Sequence, residues 1–138
     1  LKLETPVDLL MSFEMVEHLT DPTRFLHGLA TSSNSRYLLM TVPYRASSRV
    51  ALGELRNGYL TEKITAEDLH IFEFCPEDWL LLARFAGWKP VFTRTYLQYP
   101  LYSPLRLTAP LWRGLDNEGF WGVFLEKDLS VAQLNQDW

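Results

Sequence analysis

The feature that most constrains this chain is V-D-L-L-M-S-F at residues 7–13, an apolar run broken only by Asp8 and Ser12. A run of this length suits a strand buried on both faces, as in a parallel sheet. Parallel strands need a long crossover between them, usually a helix, and the next residues supply one. Asp21-Pro22 is a good helix start, with Asp21 as the cap and Pro22 at the first helical position. Phe25, Leu26 and Leu29 then share one stripe at helical spacing, and the polar cluster Ser32–Ser35 ends it. Y-L-L-M-T-V at 37–42 reads as a second buried strand, stopped by Pro43. Strand, helix, strand predicts a βαβ unit with a right-handed crossover.

The remainder reads in the same terms. Residues 44–64 are irregular, with one short helix expected around Val50–Arg56, and Thr65 with Asp68 resembles a capping box. Pro76–Ala86 predicts a helix, since Glu77 and Asp78 favour the positive end of its dipole and Trp79, Leu82, Ala83 and Ala86 share a face. Gly87 is a fitting left-handed stop. Lys89–Leu97 and Phe120–Glu126 read as strands, and the tail from Asp128 is polar. The expected organisation is a single domain over 1–138. It carries a surface or lid excursion over 44–69, an aromatic and proline-rich loop over 98–119 and a tail over 128–138.

Composition narrows the partners. The net charge is −4 and no Lys/Arg stripe stands out, so the electrostatic footprint of a nucleic-acid binder is missing. No apolar run is long enough to span a membrane, and no signal-peptide pattern opens the chain. Cys75 is the one cysteine, which excludes an internal disulfide and a cysteine-based zinc cluster. It fits a reducing compartment, so a cytoplasmic location is expected.

The first strand and the residues after it, V-D-L-L-M-S-F-E-M-V-E-H-L-T-D-P-T-R-F-L, resemble the fourth strand and following helix of class I S-adenosylmethionine-dependent methyltransferases. Y-L-L-M-T-V-P-Y resembles the fifth strand with its terminal proline. H-I-F-E-F-C-P-E-D-W-L-L-L-A-R-F-A-G-W resembles the segment leading into the next helix, with Cys75 where the family has a capping Ser or Thr. The resemblance covers residues 5–97 well and 120–127 weakly. It implies an α/β fold holding part of a Rossmann-like methyltransferase sheet, equivalent to strands 4-5-7-6, with flanking helices. The N-terminal half, with the glycine-rich cofactor turn and the ribose-binding acid, is expected to be missing, because none of the seven glycines forms a G-x-G cluster. Strand 7–13 would then lack a neighbour, and pairing of its open edge with a second copy is expected.

The candidate site lies at the carboxyl end of the first strand, where open parallel sheets bind ligands. By resemblance, Ser12, Phe13 and Glu14 flank the methionine moiety of S-adenosylmethionine; as plain structure, Phe13 is core and Ser12 a strand-end cap. His18 reads as a general base for a hydroxyl acceptor, since imidazole changes charge near neutral pH. The E-x-x-E-H motif also implies a metal set, because some related O-methyltransferases use it to hold a divalent ion. Glu14, Glu17, His18 and His70 would then be ligands for Mg²⁺ or Mn²⁺. An ordinary structural reading, with Glu14 and Glu17 solvating the helix start and His18 packed beneath it, stands beside both. Tyr96, Tyr99, Tyr102, Trp112, Phe120 and Trp121 could wall a substrate pocket, pack on their own loop or form a dimer contact.

Two functions are expected. The first is the C-terminal part of a methyltransferase, O-directed, with a small-molecule acceptor, and inactive without its cofactor half. The second is a non-catalytic structural or interaction domain pairing through its exposed first strand.

Overall fold

The structure is a computed structural model and describes residues 6–50, 70–96, 104–108, 111 and 119–133. Strand β1 (Leu9–Phe13) leads through a 3₁₀ turn (Val16–His18) into helix α1 (Pro22–Ser32), and β2 (Tyr37–Pro43) comes next. β3 (Arg49–Val50) pairs antiparallel with β4 (Phe72–Glu73) in a small separate ribbon. Helix α2 (Pro76–Phe85), β5 (Trp88–Tyr96), a 3₁₀ turn (Pro104–Thr108), β6 (Phe120–Lys127) and α3 (Leu129–Gln133) complete the described elements. The main sheet has the order β1-β2-β6-β5. β1 and β2 are parallel, and β6 runs antiparallel to both of its neighbours. This is the expected 4-5-7-6 arrangement, with the βαβ unit at one side and the antiparallel pair at the other.

Local chemistry explains the helix ends. Asp21 Oδ1 accepts from the Arg24 amide at 2.9 Å, the expected cap. Cys75 caps α2 without a side-chain hydrogen bond. Ser48 compensates from the facing loop: its hydroxyl accepts from the Cys75 amide at 2.8 Å and donates to Asp78 Oδ2. Gly87, at φ +92°, stops the segment after α2, and a Cβ there would meet Leu129 Cδ2 at 3.1 Å.

Among the described residues the buried core lies on one face of the sheet. Leu38, Met40 and Val42 of β2 and Trp121, Val123 and Leu125 of β6 are buried beneath Leu26, Leu29 and Ala30 of α1 and Trp79 and Ala83 of α2. Helix α1 touches α2, and both touch α3. Trp88, fully buried at the start of β5, donates its indole N–H to the Leu26 carbonyl at 2.9 Å and so ties the sheet to α1.

The opposite face corrects one expectation. Among the described residues β1 is an edge strand, and it is not buried on both sides. Met11 is 63% exposed, Phe13 54%, and Phe92 across the sheet 57%. Register places Leu9, Met11 and Phe13 beside Tyr37, Leu39 and Thr41. Tyr37 and Phe92 both stack on Phe124, at 5.2 and 5.4 Å between ring centroids. The apolar pattern on both sides of β1 is therefore real, but the described residues cover only one side.

Three further expectations fare differently. The start of the polar tail is ordered as α3, where Ala132 is buried. Trp121 is a core residue rather than a substrate wall, while Tyr96 and Phe120 meet at 5.8 Å on the open face. Most of the 44–69 excursion, the Thr65–Asp68 box, and Tyr99, Tyr102 and Trp112 lie outside the described residues.

The indole tie yields a prediction. Trp88→Phe removes one hydrogen bond and some buried volume, and should lower the unfolding free energy by about 1–3 kcal/mol in a urea titration. An unchanged midpoint would mean that the tie contributes nothing.

Candidate functional site

Parallel pairing brings the carboxyl ends of β1 and β2 side by side, and Glu14 is the first residue beyond β1. Its φ of 46° lies in the left-handed region, unusual for a non-glycine residue. Two bonds to β2 hold it there. The Glu14 amide donates to the Thr41 carbonyl at 3.1 Å, and the Thr41 hydroxyl donates to Glu14 Oε1 at 2.7 Å. Burial pushes the Glu14 carboxyl up against the lowering pull of Thr41, His70 and His18. Beside it, Ser12 is buried and its hydroxyl has no hydrogen-bond partner among the described residues. Phe13 projects from the open face and is not core.

The turn after Glu14 carries Glu17 inward. Glu17 is 1% exposed, and neither carboxylate oxygen has a hydrogen-bond partner among the described residues. A buried carboxylate without partners pays a large desolvation cost. That burial, with the nearby Glu14 charge, raises its pKa to about 7, against the lowering pull of its own backbone N–H and of His18. Its backbone is anchored separately, since the Glu17 carbonyl accepts from the Ile71 amide at 2.9 Å. The same contact draws the segment after residue 70 toward the turn. The His70 ring meets the His18 ring edge-on, with centroids 4.8 Å apart. His18 Nε2 lies 3.9 Å from Glu17 Oε1.

The sequence-derived set is therefore brought together. Glu17, His18 and His70 each offer a ligand atom within 4.8 Å of the others, and Glu14 is near enough for its charge to be felt by the group. An oxygen and imidazole donor set with an orphaned carboxylate suits a divalent ion in kind. Octahedral Mg²⁺ spans at most ~4.2 Å between opposite ligands, from ~2.1 Å bonds. The set would have to contract by roughly half an ångström to close on the ion.

Beyond His70 stands a second cluster that the motif did not reveal. Glu73 is 3% exposed and takes His70 Nδ1 at 3.1 Å, Arg45 Nη2 at 2.7 Å and the Nε of Arg49. Burial alone would raise the Glu73 carboxyl; the bonds from Arg49, Arg45 and His70 outweigh it and hold the pKa at about 2. A carboxylate inside the aromatic run I-F-E-F was the available signal, because such a group must find cationic partners when it is buried. The two arginines lie four residues apart in what reads from sequence as a surface excursion.

A groove of about 430 Å³ between α2, β5 and α3, lined by Leu80, Leu81, Arg84 and Pro90 among others, lies on the helix side and shares no residue with these clusters.

No protein-family model matches the chain, and no curated protein does. Solved structures do. A Burkholderia thailandensis 1,6-didemethyltoxoflavin-N1-methyltransferase, with its substrate and S-adenosylhomocysteine bound, aligns with a TM-score of 0.59 at 14% identity, covering 93% of this chain and 47% of its own. The fold is that of S-adenosylmethionine-dependent methyltransferases. One such enzyme from Mesorhizobium loti aligns with a TM-score of 0.57 at 14% identity, over 92% of this chain and 65% of its own. The [4+2]-cyclase SpnF shares the fold with a TM-score of 0.52 at 11% identity, over 92% and 54%. The chain thus spans about half to two-thirds of the length of these neighbours. A cyclase among them illustrates that chemistry lies in the site and not in the fold. No described helix is long and apolar enough to cross a membrane.

The desolvated carboxylate predicts a pH signature. The folded pKa of Glu17, about 7, lies above the ordinary 4.5. Its contribution to stability is fully present below the ordinary value and lost as pH rises through about 7. The urea midpoint should fall between about pH 5 and pH 8, and Glu17→Gln should shrink that fall. An identical pH dependence in the variant would mean that Glu17 is not desolvated as described.

Proposed function

We propose that this chain is the acceptor-side portion of an S-adenosylmethionine-dependent methyltransferase acting on a hydroxyl of a small molecule. The observation that carries the reading is the gathering of Glu17, His18 and His70, with Glu14 close by, beyond the carboxyl ends of a parallel strand pair, where this class of sheet binds ligands. Ser12, with its buried and unpartnered hydroxyl, Phe13 and Glu14 are the residues that would face the cofactor's methionine part. The cofactor supplies an electrophilic methyl group; the chain's own task is to orient the acceptor and manage one proton.

In this reading His18 is the general base. It takes the hydroxyl proton as the acceptor oxygen gains the methyl, and Glu17, 3.9 Å away, offsets the charge on the imidazolium when ionised. The alternative use of the same residues is as metal ligands: Glu17, His18 and His70 would hold a divalent ion that lowers the pKa of the acceptor hydroxyl. His18 cannot then serve as the base. The exposed sheet face and the open edge of β1 are where a segment carrying the cofactor's glycine turn would pack.

The test is calorimetric titration of the 138-residue chain with S-adenosylhomocysteine, with and without Mg²⁺. Micromolar binding independent of Mg²⁺ supports the base reading, and binding that needs Mg²⁺ supports the metal reading. No heat at millimolar ligand overturns cofactor binding by this chain alone.

A second reading rests on a different observation. The edge of β1 and the apolar face bearing Met11, Phe13 and Phe92 favour pairing with a second copy or another chain. The chain would then serve as a non-catalytic interaction domain. Light scattering should report a dimer that Met11→Glu weakens by about tenfold or more. A monomer at high concentration would remove self-pairing.

A further inference from the structure

We propose that Glu73 is a positioning residue for His70: it locks the ring in the Nδ1–H tautomer, so that Nε2 is the nitrogen this ring has to offer a methyl acceptor or a metal ion. What Nε2 receives rests on the methyl-transfer reading; the lock itself rests on geometry.

His70 Nδ1 lies 3.1 Å from Glu73 Oε1. Glu73 decides which of the two carries the hydrogen. Its Oε1 also accepts from Arg45 Nη2 at 2.7 Å, and its Oε2 accepts from Arg49 Nε. A carboxylate that receives guanidinium bonds at both oxygens is ionised and can only accept, and its low pKa agrees. Nδ1 is therefore the donor. A neutral imidazole with its proton on Nδ1 carries its lone pair on Nε2. The neighbouring histidine is held differently: Glu17 Oε1 stands 3.9 Å from His18 Nε2, beyond hydrogen-bond reach.

The lock is fixed at both ends. Glu73 is 3% exposed and pinned at both oxygens, and β4 carries it opposite Arg49 in the small ribbon. The backbone next to His70 is tied to the other cluster, since the Ile71 amide donates to the Glu17 carbonyl at 2.9 Å. The His70 ring packs edge-on against His18. Nδ1 is spent on Glu73, so what this ring offers to the Glu17 and His18 cluster it offers through Nε2. Net charge does not enter. Asp78 beside Ser48 and the further contacts of Arg45 alter the charge balance but not the acceptor that faces Nδ1.

Both uses of the cluster need that atom. In the base use, the acceptor's hydroxyl proton moves to Nε2, a second proton acceptor beside His18. The oxygen's electron pair forms the new C–O bond as the methyl carbon–sulfur bond breaks, and the Nδ1–H bond to Glu73 is kept throughout. In the metal use, Nε2 is the ligand atom and the carboxylate orients the ring and raises its basicity. Glu73 already bears two guanidinium groups, so its part is orientation rather than charge compensation.

The test needs neither cofactor nor acceptor, so a negative titration with S-adenosylhomocysteine leaves it untouched. Long-range ¹H–¹⁵N correlations of the histidine rings are recorded on the ¹⁵N-labelled chain at alkaline pH, where imidazole is neutral, and His70→Gln assigns the signals. The Nδ1–H form of His70 should exceed the Nε2–H form by about tenfold or more, the ratio that one hydrogen bond to a charged group supports. Glu73→Leu removes the acceptor and should bring the Nε2–H form into view. Should that variant fail to fold, the wild-type spectrum decides alone. A wild-type ring in the Nε2–H form, or in an even mixture, overturns the proposal. So does a folded Glu73→Leu chain whose ring keeps the wild-type ratio.

Discussion

Leu9–Phe13 and Tyr37–Pro43 run in the same direction, and their pairing brings two chain exits to one end of the sheet. The candidate site depends on that direction throughout. With the strands parallel, Glu14 leaves β1 directly beside Thr41, whose hydroxyl and carbonyl both hold it. That double contact fixes Glu14 in a left-handed conformation, and the turn it starts aims Glu17 into the interior. The same geometry sends the residues after Pro43 across the site, where Arg45 and Arg49 reach Glu73. Antiparallel pairing would have put Thr41 at the far end of β1 and dispersed the cluster.

Burial is offset at one carboxylate of the site and not at the other. Glu73 and Glu17 are both almost inaccessible, yet their acidities move in opposite directions. Glu73 has two guanidinium groups and an imidazole; charge-assisted bonds outweigh desolvation and it stays ionised. Glu17 has, among the described residues, only the more distant His18, and desolvation dominates. A fully satisfied carboxylate is scaffold, and here it positions His70. An unsatisfied one in the neighbouring cluster is the kind of group that proton transfer or a metal ion can use. The two roles are separated by one residue, His70, which touches both clusters.

Among the described residues the sheet is covered by helices on one face only. Helices α1, α2 and α3 cover one face, with Trp88 tying β5 to α1, and the other face exposes Met11, Phe13 and Phe92. A strand that is apolar on both sides but covered on one is an incomplete core.

The sequence by itself determined the four strands of the main sheet, the two longer helices and their order. The apolar runs at 7–13 and 37–42, the Asp21-Pro22 and Pro76 helix starts and the Gly87 stop are local signals, and each depends on backbone preferences acting within a few residues. The resemblance to methyltransferases, through its E-x-x-E-H motif, also marked Glu14, Glu17 and His18. Only the tertiary structure decided what depends on contacts distant in sequence. It placed β1 at an exposed edge, drew His70 to His18, and gathered Arg45 and Arg49 around Glu73. It also let Ser48 supply the cap that Cys75 lacks. Glu17 and Glu73 are the same residue type and both are buried; the aromatic run around Glu73 signals a need for partners, but no local pattern names them. Their different chemistry comes from which side chains chain reversal brings within bonding distance.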